Sequence, residues 1–370
     1  MSRAARVRRV PSALRGVSAG AALTAALALT ALPTAAADAV RVDRISTATD
    51  GTQLPVASSG ATVSANGRYA AFTSADPTGG HNTRVYLKDL RTGTLTQVPE
   101  DLQYTGGAMI SADGRRVAYT NGNRYGKPYV HDRVTGETVQ LWPAQPPDGF
   151  HELGHAEAIS ADGRHVAYSI GSRHGLRALY VRDLATGTDE QIALPADGEI
   201  WEAAIGAHGR TVAYAVLART AQGVTHRVYV KDRASGETRL LADGPALSAP
   251  SLLPLVVDGR RVLYNGRSAD GTPQPYVHDL RTARTEPIGP PGATAAAADP
   301  GGRHVLLSRG GGLTLLDLRT ARERAVATSG TALPGAVTRQ GRSVIFASTA
   351  DDLVPDDTNG ASDVFIDHIH

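Results

Sequence analysis

Ala156-Glu157-Ala158-Ile159-Ser160-Ala161-Asp162-Gly163-Arg164-His165-Val166-Ala167-Tyr168, followed downstream by Leu179-Tyr180-Val181-Arg182-Asp183, carries the pattern from which the fold follows. Residues 156–160 read as a short strand. Asp162-Gly163 ends it in a tight turn, because Asp-Gly tolerates the positive φ angles of a type I′ turn, whose twist matches that of the joined strands. Val166-Ala167-Tyr168 opens a second strand and Leu179-Tyr180-Val181 a third. Asp183 to Gly187 forms a second turn, where the Asp carboxylate accepts from backbone N–H groups just beyond it. Gln191-Ile192 marks a fourth strand. The second strand has no polar alternation, as expected of a sheet covered on both faces.

The same unit recurs along the chain. Gly-Arg follows a turn residue at Asn66-Gly67-Arg68, Asp113-Gly114-Arg115, Asp162-Gly163-Arg164, His208-Gly209-Arg210, Asp258-Gly259-Arg260, Gly301-Gly302-Arg303 and Gln340-Gly341-Arg342. The glycines are 47, 49, 46, 50, 43 and 39 residues apart. An apolar run closing on Asp trails each one, at Asp89, Asp132, Asp183, Asp232, Asp279, Asp317 and Asp367. In the turn after that Asp, Gly93, Gly136, Gly187 and Gly236 hold the left-handed position, from which Ala283 and Ala321 depart. Four short antiparallel strands at this period are the signature of a propeller blade. The sequence therefore predicts an all-β, seven-bladed propeller over residues 38–370. The seventh repeat ends at its third strand, and residues 40–45 are expected to supply its missing outer strand and close the ring.

Ile110-Ser111-Ala112-Asp113-Gly114-Arg115-Arg116-Val117-Ala118-Tyr119 and Tyr129-Val130-His131-Asp132 resemble the repeats of the TolB family, also called WD-like repeats. The stretch from Leu353 to Phe365 is similar to long-loop blades of exported actinobacterial proteins. The resemblance covers residues 40–370 and implies a propeller, without the α/β domain that precedes the propeller in TolB.

Ahead of the repeats, Arg3, Arg6, Arg8, Arg9 and Arg15 precede an apolar Ala- and Leu-rich run, Ala19 to Leu32, and then Pro33-Thr34-Ala35-Ala36-Ala37. This is the order of a secretory signal, so residues 1–37 are expected to be removed near Ala37 and the protein secreted. The run is too short for a membrane span, and no span is expected in the mature chain. The G-x-S-x-G match at Gly16 to Gly20 falls inside this signal. The whole chain has 38 basic and 36 acidic residues. Losing five Arg and no acid leaves 33 against 36, so the mature chain is slightly acidic. With no Cys, disulfides and thiolate sites are excluded. The Arg residues are spread over the repeats, not clustered beside aromatics, so no nucleic-acid partner is expected.

Repeat positions account for most Tyr and Phe residues. His131, His278, His165 and His304 also fall on repeat positions, where solvated blade edges are expected. Two candidates remain for chemistry. His151-Glu152-Leu153-Gly154-His155 matches H-E-x-x-H, in which helical spacing presents two His to zinc. Here Pro146-Pro147, Gly149 and Gly154 and the following strand leave no helix, so His151 and His155 are a transition-metal candidate only if the channel mouth gathers them with Glu157 and Glu202; a polar loop is the alternative. Asp356, Asp357, Asn359 and Asp363 around Gly360 offer the oxygens calcium prefers; the alternative is a hairpin turn in an acidic loop. No catalytic residue is assigned and no firm cofactor beyond possible calcium. The expected function is a monomeric binding scaffold for a protein, peptide or glycan. The alternative is a metal-dependent propeller lyase or hydrolase with its site at the channel mouth.

Overall fold

The computed structural model describes residues 41–369, apart from 79–81, 99–104, 123–124, 150–152, 173–174, 196–197, 222, 245–254 and 258. All belong to one unit, Val40–His370. Six blades are four-stranded antiparallel sheets in which strand order follows chain order. They span residues 58–97, 105–140, 153–192, 198–244, 255–287 and 294–327. The seventh blade joins the two ends of the propeller sequence. Ser343–Ser348 pairs with Asp363–His368, which pairs in turn with Arg41–Arg44. Thr331 and Val337 bridge to Ala347 and Val344, placing that segment in the innermost position. The expected closure by an N-terminal strand is therefore observed.

The two sequence landmarks prove to be partners. In six blades the Arg after the turn glycine forms an ion pair with the Asp that ends the third strand, at 2.6–3.0 Å. They recur in step because each pair ties the first turn of its blade to the second. In the turn itself, Ser160 Oγ donates to Asp162 and accepts from the His165 N–H, while Asp162 accepts from the Arg164 N–H. Neighbouring turns are laced together: the N–H groups of Arg339, Ala65, Ala112 and Asp162 donate to the carbonyls of Ala65, Ala112, Ala161 and Ala207.

The core is a set of slabs between successive blades rather than one centre. Val117 and Tyr119 pack towards the first blade, whereas Ala118, between them, packs towards the third. This is why both sides of the second strand are apolar. The aromatic repeat positions form cross-strand ring pairs, Phe72–Tyr86, Tyr119–Tyr129, Tyr168–Tyr180, Tyr214–Tyr229, Tyr264–Tyr276 and Phe346–Phe365, with centroids 5.5–5.8 Å apart. In the sixth blade Leu307 faces Thr314 instead.

The histidines differ from expectation. His131 and His278 are buried, each bonded to a Thr on the outer strand. His165 and His304 lie over the turn glycines of the following blades, Gly209 and Gly341. Sequence position located these rings on the blades but not the neighbouring blade that covers them.

Candidate functional site

The up-and-down path of each blade puts its two Asp-containing turns on one face of the ring. The hairpins between second and third strands lie on the other. The inner strands of blades three and four, Leu153–Ile159 and Gly198–Ile205, each contain a β-bulge. The extra residue is Glu157 in one and Trp201 in the other. A bulge breaks the regular alternation and re-aims a side chain; the inner strands of blades one, two and six carry one as well.

Glu157 bridges the two blades. One carboxyl oxygen accepts from Ser169 Oγ of its own blade at 2.5 Å, and the carboxyl also accepts from the Ala203 N–H of the next. Burial pushes it up to about 7, against the downward pull of those two bonds. Glu202, immediately before Ala203, is pushed up to about 8, by burial first and then by the charge of Glu157. Its Oε2 is buried and makes no hydrogen bond among the described residues. Two carboxyls in a low-dielectric setting cannot both ionise cheaply, so below neutral pH the pair holds protons. His155 lies on the same strand, exposed along the inner edge yet surrounded closely enough that burial holds its imidazole below the ordinary value. Trp201 is 44% exposed and meets the His226 ring edge-on at 5.8 Å. The buried Nδ1 of His226 also makes no hydrogen bond among the described residues.

Of the residues expected at the channel mouth, Glu157 and Glu202 come together, with His155 nearby on the same strand as Glu157. His151 and Glu152 lie outside the described residues. His155 is on a strand rather than a helix, and Gly154 is packed so closely by Ser169, Pro128 and Trp142 that a Cβ would clash. Trp201 and His226 escaped the sequence reading. The signal available for Trp201 was that it is one of two Trp and breaks an inner-strand pattern.

The acidic loop of the seventh blade also comes together, around the N-terminal segment. Asp363 is fully buried and accepts from Ser46 Oγ at 2.5 Å, Gln53 Nε2 at 2.6 Å and Asn359 Nδ2 at 3.2 Å. Asp357 accepts from Gln53 Nε2 at 2.8 Å, and both carboxylates face the Arg44 guanidinium at 3.4 and 3.6 Å. Asn359 also donates to the Leu54 carbonyl, while the Asp356 carbonyl accepts from Arg44. These oxygens clasp residues 44–54. Among the described residues no three His, Asp or Glu are grouped so as to hold a metal ion.

No family model matches this chain, and no curated protein does. Solved structures do. An oligogalacturonate lyase in complex with manganese is 16% identical with a TM-score of 0.64, over 90% of this chain and 94% of that one. The oligogalacturonate lyase from Vibrio parahaemolyticus is 15% identical with a TM-score of 0.60, over 90% and 95%. The β-propeller domain of the Trilobed protease from Pyrococcus furiosus is 14% identical with a TM-score of 0.56, over 79% and 91%. At these identities the likeness establishes the propeller fold alone.

Proposed function

We propose that the protein is an exported, TolB-like binding propeller that takes a glycan at the inner edges of its third and fourth blades. The observation that supports this reading is the pair Glu157 and Glu202, part-buried on adjacent inner strands beside the exposed ring of Trp201. Elsewhere the recurring polar side chains are used in turns, ion pairs and blade junctions. Protonated carboxyls offer donors and acceptors without net charge, which suits sugar hydroxyls. An exposed indole beside them offers the apolar face against which a sugar ring packs. Residues 1–37 would direct export, with Asp38 as the mature N-terminus.

The test is titration of the mature protein with a panel of neutral oligosaccharides, followed by tryptophan fluorescence and calorimetry. Saturable binding weakened at least tenfold by Trp201→Ala and by Glu202→Ala is expected, because each removes a direct contact. Binding indifferent to both substitutions would overturn the reading.

A second reading is favoured by the raised carboxyls themselves, since groups that hold protons near neutrality can also deliver them. Glu202 would then protonate the leaving oxygen of a glycosidic bond while water replaces it at the anomeric carbon and gives up its proton to solvent. The described donors do not fit a metal ion: Glu157 is engaged by Ser169 and Ala203, and no third ligand joins the pair. Release of new sugar ends by wild type, abolished in Glu202→Gln while binding persists, would establish this reading instead.

A further inference from the structure

Four Asn-Gly pairs occur in the chain, at Asn66, Asn121, Asn265 and Asn359. An Asn followed by Gly is among the more labile amides of a protein, because no Cβ shields the glycine nitrogen and its backbone turns freely. That nitrogen attacks the Asn Cγ and closes a cyclic imide. The fold decides which of the four pairs can react. The Gly67 N–H donates to the Ser64 carbonyl at 2.8 Å, and Asn66 Oδ1 accepts from Ser64 Oγ and the Arg68 N–H. Asn121 ends a strand paired on both sides, and Gly122 lies against the backbone of Tyr125 and Gly126. Asn265 is fully buried, and its amide donates to the Ala295 carbonyl and accepts from the Ala295 N–H.

Asn359-Gly360 is held differently. Gly360 is exposed at φ 61°, and nothing lies within 4 Å of the position its Cβ would take. Among the described residues no hydrogen bond engages its N–H. Asn359 Oδ1 accepts from the Ala361 N–H at 2.8 Å, a donor placed to steady the oxyanion that attack at Cγ creates. The leaving group, Nδ2, is part of the ring closure. It donates to the Leu54 carbonyl at 2.9 Å and to Asp363 Oδ2 at 3.2 Å. Leu54 belongs to the segment that follows the closing strand, and Asp363 holds Arg44, Ser46 and Gln53 from the same end of the chain.

We propose that Asn359 is a deamidation site whose modification loosens the closure of the ring. The Gly360 nitrogen loses its proton and bonds to Cγ. The Cγ–Nδ2 bond breaks, and Nδ2 leaves as ammonia with that proton relayed through water. Water then opens the imide at either carbonyl, giving Asp or, with one more backbone carbon, isoaspartate. Nothing is oxidised or reduced. Either product lacks the amide donor and carries a new carboxylate. An Asp here sets one acceptor against two others, the Leu54 carbonyl and Asp363, and adds like charge where Arg44 already answers two carboxylates. The same change at Asn66 is harmless, since Asp113 and Asp162 occupy that position in the next two blades and accept the same two bonds.

The experiment is incubation of the purified protein for weeks at mildly alkaline pH with a chelator, which removes any calcium effect. Peptide mapping by mass spectrometry, enzymatic labelling of isoaspartate and melting curves are taken on the same samples. Conversion at Asn359 at least tenfold faster than at the other three pairs is expected, with the melting temperature falling as the converted fraction grows. Freshly made Asn359→Asp should melt several degrees below wild type, and Asn66→Asp together with it. Gly360→Ala, which shields the nitrogen, should start lower because of its left-handed φ and then hold its melting temperature through the incubation. The aged wild type folded with Asn359 intact, so its melting curve decides the matter even where Asn359→Asp fails to fold. Earlier conversion at another Asn-Gly pair, or converted protein that melts with fresh wild type, would overturn the proposal.

Discussion

Ala283 and Ala321 adopt φ 53° in the turn where Gly93, Gly136, Gly187 and Gly236 adopt 71–79°. A Cβ in the left-handed region costs about 1–2 kcal/mol, part of which glycine gives back through its freer unfolded chain. Ala283→Gly and Ala321→Gly should therefore each stabilise the protein by roughly 0.5–1 kcal/mol, read as higher denaturant midpoints with unchanged slopes. That turn was legible residue by residue, because a positive φ leaves its mark on composition. The bulges at Glu157 and Trp201 were not, since one extra residue in an inner strand has no compositional signature. Their consequence is a pH effect whose sign is fixed. Glu157 and Glu202 hold protons to about 7 and about 8 in the folded state, far above their unfolded values near 4.3. Their stability contribution is complete below that unfolded value and is lost as pH rises through the folded ones. Glu202→Gln cannot ionise, so its melting temperature should match wild type at about pH 4 and exceed it by a few degrees at about pH 8.5. A constant difference across that range would show that Glu202 is not the titrating group.

At the scale of elements, the closing strand Arg41–Arg44 is held from two sides. It pairs with Asp363–His368 through its backbone, and Arg44 is buried among Asp357 and Asp363. The pairing could be expected from the sequence because the seventh repeat lacked an outer strand. The clasp could not, because Asn359-Gly360 with flanking acids reads equally as a turn or as calcium ligands until Arg44, Ser46 and Gln53 arrive from the other end of the chain. Removing one partner of a buried ion pair strands the other, at about 3–5 kcal/mol. Asp363→Ala should accordingly be among the most destabilising single changes, and a chain beginning at Ser58 should lose most of its thermal stability. If the acidic loop serves as a clasp alone, neither calcium nor chelator will move the wild-type melting temperature. A calcium-dependent rise would instead give Asp356, Asp357, Asn359 and Asp363 a ligand role.

On the scale of the whole ring, stability is the sum of blade junctions, and these are unequal among the described residues. Between blades three and four, Leu179, Val181 and Ile192 meet Ile200, Val212, Tyr214 and Val216 in one continuous buried cluster. Between blades four and five the described buried residues include Ala215 and Val228 against Tyr264, and Ala213 and Val230 against Val262. Thr211 stands at this same joint in the repeat position of His165, and no described atom covers Gly259 as His165 covers Gly209. An uncovered turn glycine leaves fewer contacts to hold the two blades together, and opening proceeds from the least stable contacts. Native-state hydrogen exchange should show amides of Arg261–Arg267 exchanging sooner than those of His165–Ser172, although both are second strands of four-stranded blades. Thr211→His should narrow that difference by plugging the joint, without altering exchange in the third blade. Equal protection of the two strands in wild type would mean that backbone pairing within a blade, rather than packing between blades, sets the order in which this propeller opens.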